Sequence, residues 1–422
     1  MIKTKQERLL ITVVEPRSSG GMIHYAYQLC TALAEEGAEV TLVTSLGYEL
    51  ENYPHNFTVK KILRLWSPTD SFRTMNKQNW IEKVLGKLFW SIRRIIRGGR
   101  YIIEWIRLVK YLLKTRPTIT QFGKIEFPFE AVFLAILKRN GLILTQICHE
   151  FELREKDSNI FVKIANQLFQ WVYTSFQIIF FHGQNNQDRF SSLFQIDSNK
   201  FHQIPHGNEH LFLSSASRNL TSAQMRERYK IGSNSPVVLF FGNLMPSKGI
   251  PDLLKAFAQV LEKEKQTRLI IAGKPSKHID MDSIFNLTSS LNIEEATVFD
   301  SRYIPIEEVA PLMEMASVVV YPYLNSTQSG SLQVAYAFSR PVIATSVGGL
   351  PEEVDDGKSG FLVPPESPHE IANAIMRYIE NPTLTYEMGL YAKHLSETRY
   401  SWNSIADEVL TVYKETVNVQ NK

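Results

Sequence analysis

The sequence has few cysteines, no long uncharged apolar run and little net charge. Its 422 residues contain only two cysteines, Cys30 and Cys148. Two cysteines this far apart supply neither a disulfide framework nor a zinc-ligand spacing, which favours a reducing compartment. The N-terminus passes into an apolar strand without a small-residue cleavage site, so we expect no signal peptide. The most apolar long stretch, 160–183, contains Lys163 and four amide side chains and is a poor membrane span. We therefore expect a cytoplasmic protein.

The small net charge is unevenly distributed. The whole chain carries +3, but residues 81–116 contain ten Lys or Arg residues and two Glu residues, a local charge of +8. The remainder of the chain therefore carries −5. This distribution argues against a nucleic acid as partner and indicates a local basic patch.

The basic patch has helical periodicity on both sides of Gly98-Gly99. Apolar residues recur at steps of three and four, and the Lys and Arg residues lie on another face. The pattern predicts a basic amphipathic helix pair with interfacial aromatic residues, at Phe89, Trp90, Tyr101, Trp105 and Tyr111. Contact with an anionic membrane surface through residues 81–116 is one interpretation. Two ordinary helices with solvated basic faces are the other.

The chain is too long for one ordinary hydrophobic core, so we expect two domains. Short apolar runs alternate with segments of helical spacing, which is typical of βαβ units with parallel strands. In the first half the runs predict strands at 9–14, 40–44, 119–122, 142–148, 177–181 and 201–204. In the second half they predict strands at 237–241, 268–272, 296–299, 318–321, 342–345 and 360–363. The fold class is therefore α/β, with two Rossmann-like doubly wound domains.

A polar, Ser-rich stretch near 210–220 marks the expected link between the domains. We predict an N-terminal Rossmann-like domain over 1–210 and a C-terminal Rossmann-like domain over 211–395. A C-terminal helix within 396–422 is expected to pack back toward the N-terminal domain. Ligands of such sheets bind at the carboxyl ends of the strands, here expected to face each other across a cleft.

Two glycine-containing loops precede predicted helices. Residues 326–353 predict a Ser-Gly turn, a short apolar helix, a buried strand and a Gly-Gly turn that ends in carboxylates. Backbone N–H groups at such helix starts bind anions, above all phosphates. An ordinary βαβ unit with glycines in its turns is the alternative.

Several ordered motifs resemble the retaining glycosyltransferases of family 4. They are the segment Phe240-Phe-Gly-Asn-Leu-Met-Pro-Ser-Lys-Gly249, the 326–353 stretch and the Gly20-Gly21 loop followed by a helix. The resemblance covers residues from about 9 to 380. It implies the GT-B architecture, with a nucleotide-diphosphate sugar as co-substrate and no other cofactor. It also implies that the domain over 1–210 binds the acceptor and that the domain over 211–395 binds the nucleotide sugar.

The resemblance assigns roles to individual residues. Lys248 is expected to stabilise the charge that develops on the leaving diphosphate, because a positioned ammonium and backbone N–H groups can do so without a metal. His149 is expected to position the reacting groups. Phosphate-binding roles are implied for the loop glycines and for the start of the second-half helix, at Gly20, Gly21, Ser329, Gly330, Ser331 and Leu332. A solvated lysine, a buried structural histidine and a tight turn are the respective alternatives.

The sequence departs from the family pattern at two places. Asn243 replaces an arginine that often follows this glycine, so one cationic contact with the diphosphate becomes a neutral hydrogen bond. Ser326 and Val334 occupy the positions of a glutamate pair, so the ribose contact is in doubt. The chain resembles a subgroup with a Thr-Gln-Ser-Gly turn in place of this pair.

Carboxylates near the second loop are ambiguous. Glu352, or its neighbour Glu353, is a candidate for a donor hydroxyl, with favourable charge at a helix start as the alternative. Asp280-Met-Asp282 imitates a metal-binding Asp-x-Asp motif, but it precedes a predicted helix, where acidic residues cap routinely. We expect no essential metal.

Together these features predict a retaining, metal-independent glycosyltransferase acting on a hydroxyl of a glycan or lipid-linked acceptor, in cell-surface polysaccharide or glycolipid synthesis. A nucleotide-sugar epimerase and a non-catalytic nucleotide-sugar-binding protein are the alternatives. The sequence indicates neither the sugar, the base, the linkage nor the oligomeric state.

Overall fold

The computed structural model describes residues 8–64, 80–151, 160–214 and 220–420, without the side chains of 80–97, 160–165 and 214. The chain forms two compact units. Unit 1 comprises Met1–Phe181, Phe190–His202 and Ala406–Lys422, and unit 2 comprises His182–Arg189 and Gln203–Ile405. Within the described residues, no helix has both the length and the apolar content that a membrane span needs.

Unit 1 contains a seven-stranded sheet. Its strands are β1 (Leu10–Val14), β2 (Glu39–Ser45), β3 (Thr58–Leu63), β4 (Ile119–Phe122), β5 (Ile143–Ile147), β6 (Ile178–Phe181) and β7 (Phe201–Gln203). Their order in the sheet is β3-β2-β1-β4-β5-β6-β7. The pairs from β3 to β6 are parallel. The strands β4, β5 and β6 are buried along their whole length, as expected for a sheet covered on both faces. Sequence periodicity missed β3, whose Lys60-Lys61 pair interrupts the apolar pattern.

Five helices follow these strands and a sixth ends the chain. The five are α1 (Gly21–Glu35), α2 (Trp80–Thr115), α3 (Glu130–Arg139), α4 (Ile160–Thr174) and α5 (Gln184–Leu193). The residues of α5 up to Arg189 belong to unit 2. The last helix of the chain, Trp402–Gln420, contributes its residues from Ala406 to unit 1. There the Tyr413 hydroxyl donates to Gln121 Oε1 at 2.6 Å, which ties this helix to β4.

Helix α2 differs from the predicted helix pair. It is a single helix that continues through Gly98-Gly99, although each glycine costs about 1 kcal/mol relative to alanine. Trp105, expected at an interface, is buried and stacks on Phe133 with 5.4 Å between ring centroids. The expectation for Trp105 was wrong because this part of α2 packs against α3. The side chains of 80–97, which include half of the basic patch, lie outside those described.

Unit 2 contains a six-stranded sheet. Its strands are β8 (Val237–Phe241), β9 (Arg268–Ala272), β10 (Thr297–Asp300), β11 (Val318–Tyr321), β12 (Val342–Thr345) and β13 (Gly360–Val363). Their order is β10-β9-β8-β11-β12-β13, and every pair is parallel. All six were predicted from the sequence, five with the same bounds and β10 shifted by one residue at both ends.

The helices of unit 2 are mostly short. They are α6 (Leu211–Ser214), α7 (Ser222–Arg228), α8 (Ile250–Lys263), α9 (Met281–Ser290), α10 (Ile306–Met315), α11 (Gly330–Ala337), α12 (Leu350–Glu353), α13 (Pro368–Glu380) and α14 (Pro382–Glu397), and α15 is the last helix named above. Asp280 caps α9 by accepting from the Ser283 N–H, as the sequence suggested.

The strand order of each sheet reverses direction once. In unit 1 the reversal lies between β1 and β4, and in unit 2 between β8 and β11. Loops that leave the carboxyl ends of these strands diverge and create a place for a ligand. The two-domain Rossmann-like α/β expectation is confirmed.

Both cysteines are buried in unit 1. Cys30 is fully enclosed and Cys148 is 2% exposed, and burial raises the pKa of each thiol well above its usual value. Neither is disulfide-bonded. Each acts as a small apolar core residue.

The reassignment of Trp105 to the core can be tested by unfolding. Trp105→Ala should lower the free energy of unfolding by about 3–5 kcal/mol, because it removes an aromatic stack and leaves a cavity. Ile103→Ala, at an exposed position of the same helix, should change it by less than about 0.5 kcal/mol. Urea titration at pH 7 measures both, and equal losses would contradict the core assignment.

Candidate functional site

The Lys248 ammonium is held at the loop that follows β8. Lys248 ends a short turn of 3₁₀ helix at Pro246–Lys248 and is only 8% exposed. The next residue, Gly249, has φ of +64°, and a Cβ there would lie 1.8 Å from the Pro322 oxygen, so only glycine fits. Lys248 Nζ lies 3.4 Å from the centroid of the Tyr323 ring. A desolvated ammonium over an aromatic face is stabilised by about 2 kcal/mol.

Tyr323 links Lys248 to the start of α11. Its hydroxyl is 3.2 Å from both Ser329 Oγ and Ser331 Oγ, and these two oxygens are 3.0 Å apart. The Thr345 hydroxyl donates to the Tyr323 carbonyl at 2.6 Å and fixes its backbone. One buried ring therefore contacts the cation on its face and two serine hydroxyls at its edge.

The amides at the start of α11 divide into two pairs. The Ser329 N–H donates to Glu353 Oε1 at 3.3 Å, and the Leu332 N–H donates to the Ser329 carbonyl at 3.0 Å. The N–H groups of Gly330 and Ser331 open the helix and have no intrahelical acceptor. Of the four predicted amide donors, Gly330 and Ser331 are therefore the ones oriented to bind an anion.

Gly330 lies against a buried histidine. A Cβ at this position would come within 3.1 Å of His206 Cε1, so glycine leaves room beside the first free amide. His206 is 8% exposed, and burial lowers its pKa to about 4 despite its hydrogen bond with the Gly207 carbonyl. The ring is therefore neutral near pH 7.

Asn243 is exposed at the carboxyl end of β8. Its neighbour Gly242 approaches α11, since a Cβ at Gly242 would lie 3.5 Å from Ser331 Oγ. The β8 loop, Lys248 and the α11 start are thus brought together. Two other arginines of unit 2, Arg302 and Arg340, are engaged elsewhere. Arg302 pairs with Asp300 and Glu308, and the Arg340 guanidinium donates to backbone carbonyls.

Glu352 does not join this cluster. Its carboxylate accepts from the N–H groups of Gln184 at 2.9 Å and Asn185 at 2.7 Å, the first two residues of α5. The Glu352 carboxylate therefore caps the start of α5.

Glu353 is the carboxyl group that lies at the α11 start. It is 7% exposed, and burial raises its pKa to about 8, although the Ser329 N–H and the Lys248 charge favour the ionised form. The fully buried Gln333 amide also favours that form, although neither of its polar atoms has hydrogen-bond geometry with a described residue. A neutral carboxyl here avoids repelling a bound anion. The sequence offered the adjacent Glu352-Glu353 pair but no means of choosing between them.

Three predicted residues lie in unit 1. Gly20 has φ of +85° and precedes α1, and its N–H donates to Glu49 Oε2 at 2.9 Å. Gly21 begins the helix with open space where a side chain would be. His149 lies just after β5 and is 5% exposed. Its ring packs edge-to-face on the Tyr25 ring, with 4.5 Å between the ring centroids.

Both halves of the chain match family models. Residues 19–209 match the model described as Glycosyltransferase Family 4, and residues 235–381 match the one described as Glycosyl transferases group 1. The chain is 31% identical over 205 residues to D-inositol 3-phosphate glycosyltransferase of Corynebacterium glutamicum. That match covers 47% of this chain and 48% of the relative, so the chain spans about half of the relative's length.

Solved structures share the fold over nearly the whole chain. Sucrose-phosphate synthase from Thermosynechococcus elongatus superposes with a TM-score of 0.71 at 19% identity, covering 98% of this chain and 100% of that one. Anabaena HepE in complex with UDP-glucose superposes with a TM-score of 0.70 at 17% identity, covering 96% and 99%. At these identities the likeness concerns the two-domain GT-B fold alone.

The raised pKa of Glu353 predicts a pH-dependent stability. Because the folded-state pKa, about 8, exceeds the ordinary value of 4.5, the contribution of Glu353 is complete below pH 4.5 and is lost as pH rises through 8. Glu353→Gln should match wild type near pH 4.5 and exceed its free energy of unfolding at pH 9 by a few kcal/mol, on the order of 4. Chemical denaturation across this range measures the difference.

Glu387→Gln, at an exposed position of α14, is the control. A constant difference between Glu353→Gln and wild type at every pH would contradict the assigned titration.

Proposed function

Because this chain belongs to the family-4-like glycosyltransferases, we propose that it transfers a glycosyl group from a nucleoside-diphosphate sugar to a hydroxyl group. The observation that carries the proposal is the ammonium of Lys248 on the face of Tyr323, whose hydroxyl contacts the start of α11, where the amides of Gly330 and Ser331 are open. A cation and helix-start N–H groups within one cluster fit a diphosphate. The likeness to a protein crystallised with UDP-glucose supports the same class of donor.

The same groups account for catalysis. Breaking the bond between sugar and diphosphate leaves negative charge on the departing phosphate. Lys248 and the two amides are fixed before the reaction, so they stabilise that charge without reorganising. We propose that this cation performs the task that a divalent metal performs elsewhere. Transfer is proposed to retain the anomeric configuration by front-face attack, with the donor phosphate accepting the acceptor's proton.

The cation is testable by substitution. Lys248→Ala should lower kcat by roughly a hundredfold or more, because it removes a preorganised charge at the leaving group. Lys263→Ala, at the exposed end of α8, should leave kcat unchanged. Nucleoside diphosphate release is measured with a panel of nucleotide sugars and hydroxyl acceptors.

The outcomes separate the alternatives. Equal rates for Lys248→Ala and wild type would contradict the role of the cation. Formation of an epimer from the donor alone would favour the epimerase, and donor binding without turnover across the panel would favour the non-catalytic protein.

We further propose that the acceptor is a glycan or lipid-linked glycan reached at an anionic membrane surface. The described end of α2 exposes three isoleucines in a row of helical spacing, Ile102, Ile103 and Ile106, at 43%, 50% and 42%. Exposed basic residues lie beside them at Arg100, Arg107 and Lys110. Aliphatic side chains flanked by cations fit an anionic lipid interface, where each cation contributes about 1 kcal/mol.

Vesicle binding tests this surface. The double variant Ile103→Ser and Ile106→Ser should bind vesicles of phosphatidylglycerol and phosphatidylcholine at least tenfold more weakly, since each buried aliphatic side chain contributes about 1.5–3 kcal/mol. Val419→Ser, at a more exposed position on α15, should bind as wild type does. Cosedimentation measures vesicle binding of both variants. Wild-type protein that does not bind anionic vesicles would contradict the proposal.

A further inference from the structure

Glu15 is a buried acid that the proposed diphosphate chemistry does not use. It directly follows β1, at the carboxyl end of the strand, and is 2% exposed. Burial raises its pKa to about 7, with an opposing contribution from its hydrogen bond to the Arg17 N–H. Burying a carboxyl group without full hydrogen bonding costs folding free energy, so a buried Glu15 suggests a function.

The two oxygens of Glu15 have different surroundings. Oε1 accepts from the Arg17 N–H at 2.9 Å. Oε2 lies over Gly123, where an added Cβ would come within 2.6 Å of it. Among the described residues, none donates a hydrogen bond to Oε2. One oxygen therefore anchors the side chain and the other is left for a ligand.

Glu15 and Gly123 line a cavity within unit 1. The cavity has a volume of about 10 Å³, room for about one water molecule, and its other walls are mostly apolar, with His149, Gln121 and Tyr25 among them. This is far smaller than common ligand pockets, so it admits a single polar group rather than a whole ligand. A hydroxyl group that enters from the open side fits such a space.

The charges around Glu15 are arranged so that it is not an ion-pair partner. Arg17 and Lys124 favour its ionised form and Glu126 opposes it. These neighbours form their own pairs, however. Arg17 contacts Glu126 at 2.8 Å, and Lys124 contacts Glu150 at 2.8 Å. The cavity is lined by His149 and Tyr25, and neither Arg17 nor Lys124 is part of its wall.

We propose that Glu15 binds a hydroxyl group of an uncharged sugar or polyol in this cavity and so determines which sugar is accepted. The inference rests on the proposed function for its role in turnover. A phosphate is unsuited to the cavity, because a carboxylate repels it. A hydroxyl group donates to the free oxygen, while the carbon skeleton that carries it stays at the open side of the cavity. The hydroxyl belongs either to the acceptor or to the sugar of the donor.

The affinity of Glu15 for a hydroxyl group should depend on pH, because the carboxyl group titrates. Below about pH 7 the carboxyl is neutral, and above it the carboxylate accepts a stronger, charge-assisted hydrogen bond. Affinity for the hydroxyl-bearing substrate should therefore rise as pH increases from 6 to 8.

The experiment compares Glu15→Gln with Glu130→Gln in the full chain. Glu130 is also a buried acid with a pKa raised to about 8 by burial, but its Oε1 is already bonded to Tyr101 and to two backbone N–H groups. At pH 8, Glu15→Gln should raise the KM of one substrate at least tenfold, with little change in kcat. It should also remove the dependence of that KM on pH. Glu130→Gln should do neither.

Two arms identify the source of the hydroxyl. A raised KM for the acceptor assigns it to the acceptor, and a raised KM for the nucleotide sugar, with unchanged affinity for the free nucleoside diphosphate, assigns it to the donor. Gly123→Ala, which crowds Oε2 from the opposite wall, should raise the same KM. Unchanged KM values and pH profile in Glu15→Gln would overturn the inference while leaving the glycosyltransferase proposal intact.

A direct binding measurement tests the Glu15 site without requiring sugar transfer. Ligand-observed NMR with glucose and myo-inositol should show binding to wild type that Glu15→Gln loses and Glu130→Gln retains. If wild type transfers no sugar at all, the proposed function fails, yet this binding difference would still support the site. If transfer fails and no binding depends on Glu15, both fail.

Discussion

The site in unit 2 depends on keeping an ammonium in place where little water reaches it. A lysine this buried needs its charge stabilised by the protein, and the face of Tyr323 supplies part of that stabilisation. The same ring fixes two serine hydroxyls through its own hydroxyl group. The Lys248 ammonium, the Tyr323 ring and the start of α11 therefore hold one another in place, and their geometry is set before a ligand binds. The neutral carboxyl of Glu353 belongs to the same requirement, because an ionised group there would compete with a phosphate for the amides.

Much of the fold could be predicted from the sequence. Buried parallel strands are continuous apolar runs, and the runs at 237–241 and 342–345 coincide with β8 and β12. Strand β3 was not predicted because it is an edge strand with two lysines in its middle, which interrupt the apolar run. The predicted break at Gly98-Gly99 was wrong because the low helix propensity of glycine is outweighed by the packing of Trp105 and its neighbours on α3.

The site was predictable only where spacing carries the information. Lys248 and the Ser329-Gly330-Ser331 turn lie on fixed loops of a recurring pattern. Tyr323 was missed because an aromatic residue just after a buried strand is indistinguishable from a core residue until its ring is seen under a cation. Glu352 and Glu353 are neighbours in sequence, and only the fold shows that one caps α5 while the other turns to α11. Glu15 did carry a signal, an acid at the end of β1 just before the Gly20-Gly21 loop, and it was passed over.

The enclosed thiols of Cys30 and Cys148 have a practical consequence. Thiol reagents attack the exposed thiolate, and both native sulfurs are shielded and protonated at neutral pH. The chain is thus ready for site-selective chemistry without first removing its own cysteines. A single cysteine introduced on the surface would take up a maleimide fluorophore or spin label alone. Distances and encounters in solution could then be followed on an otherwise unaltered protein.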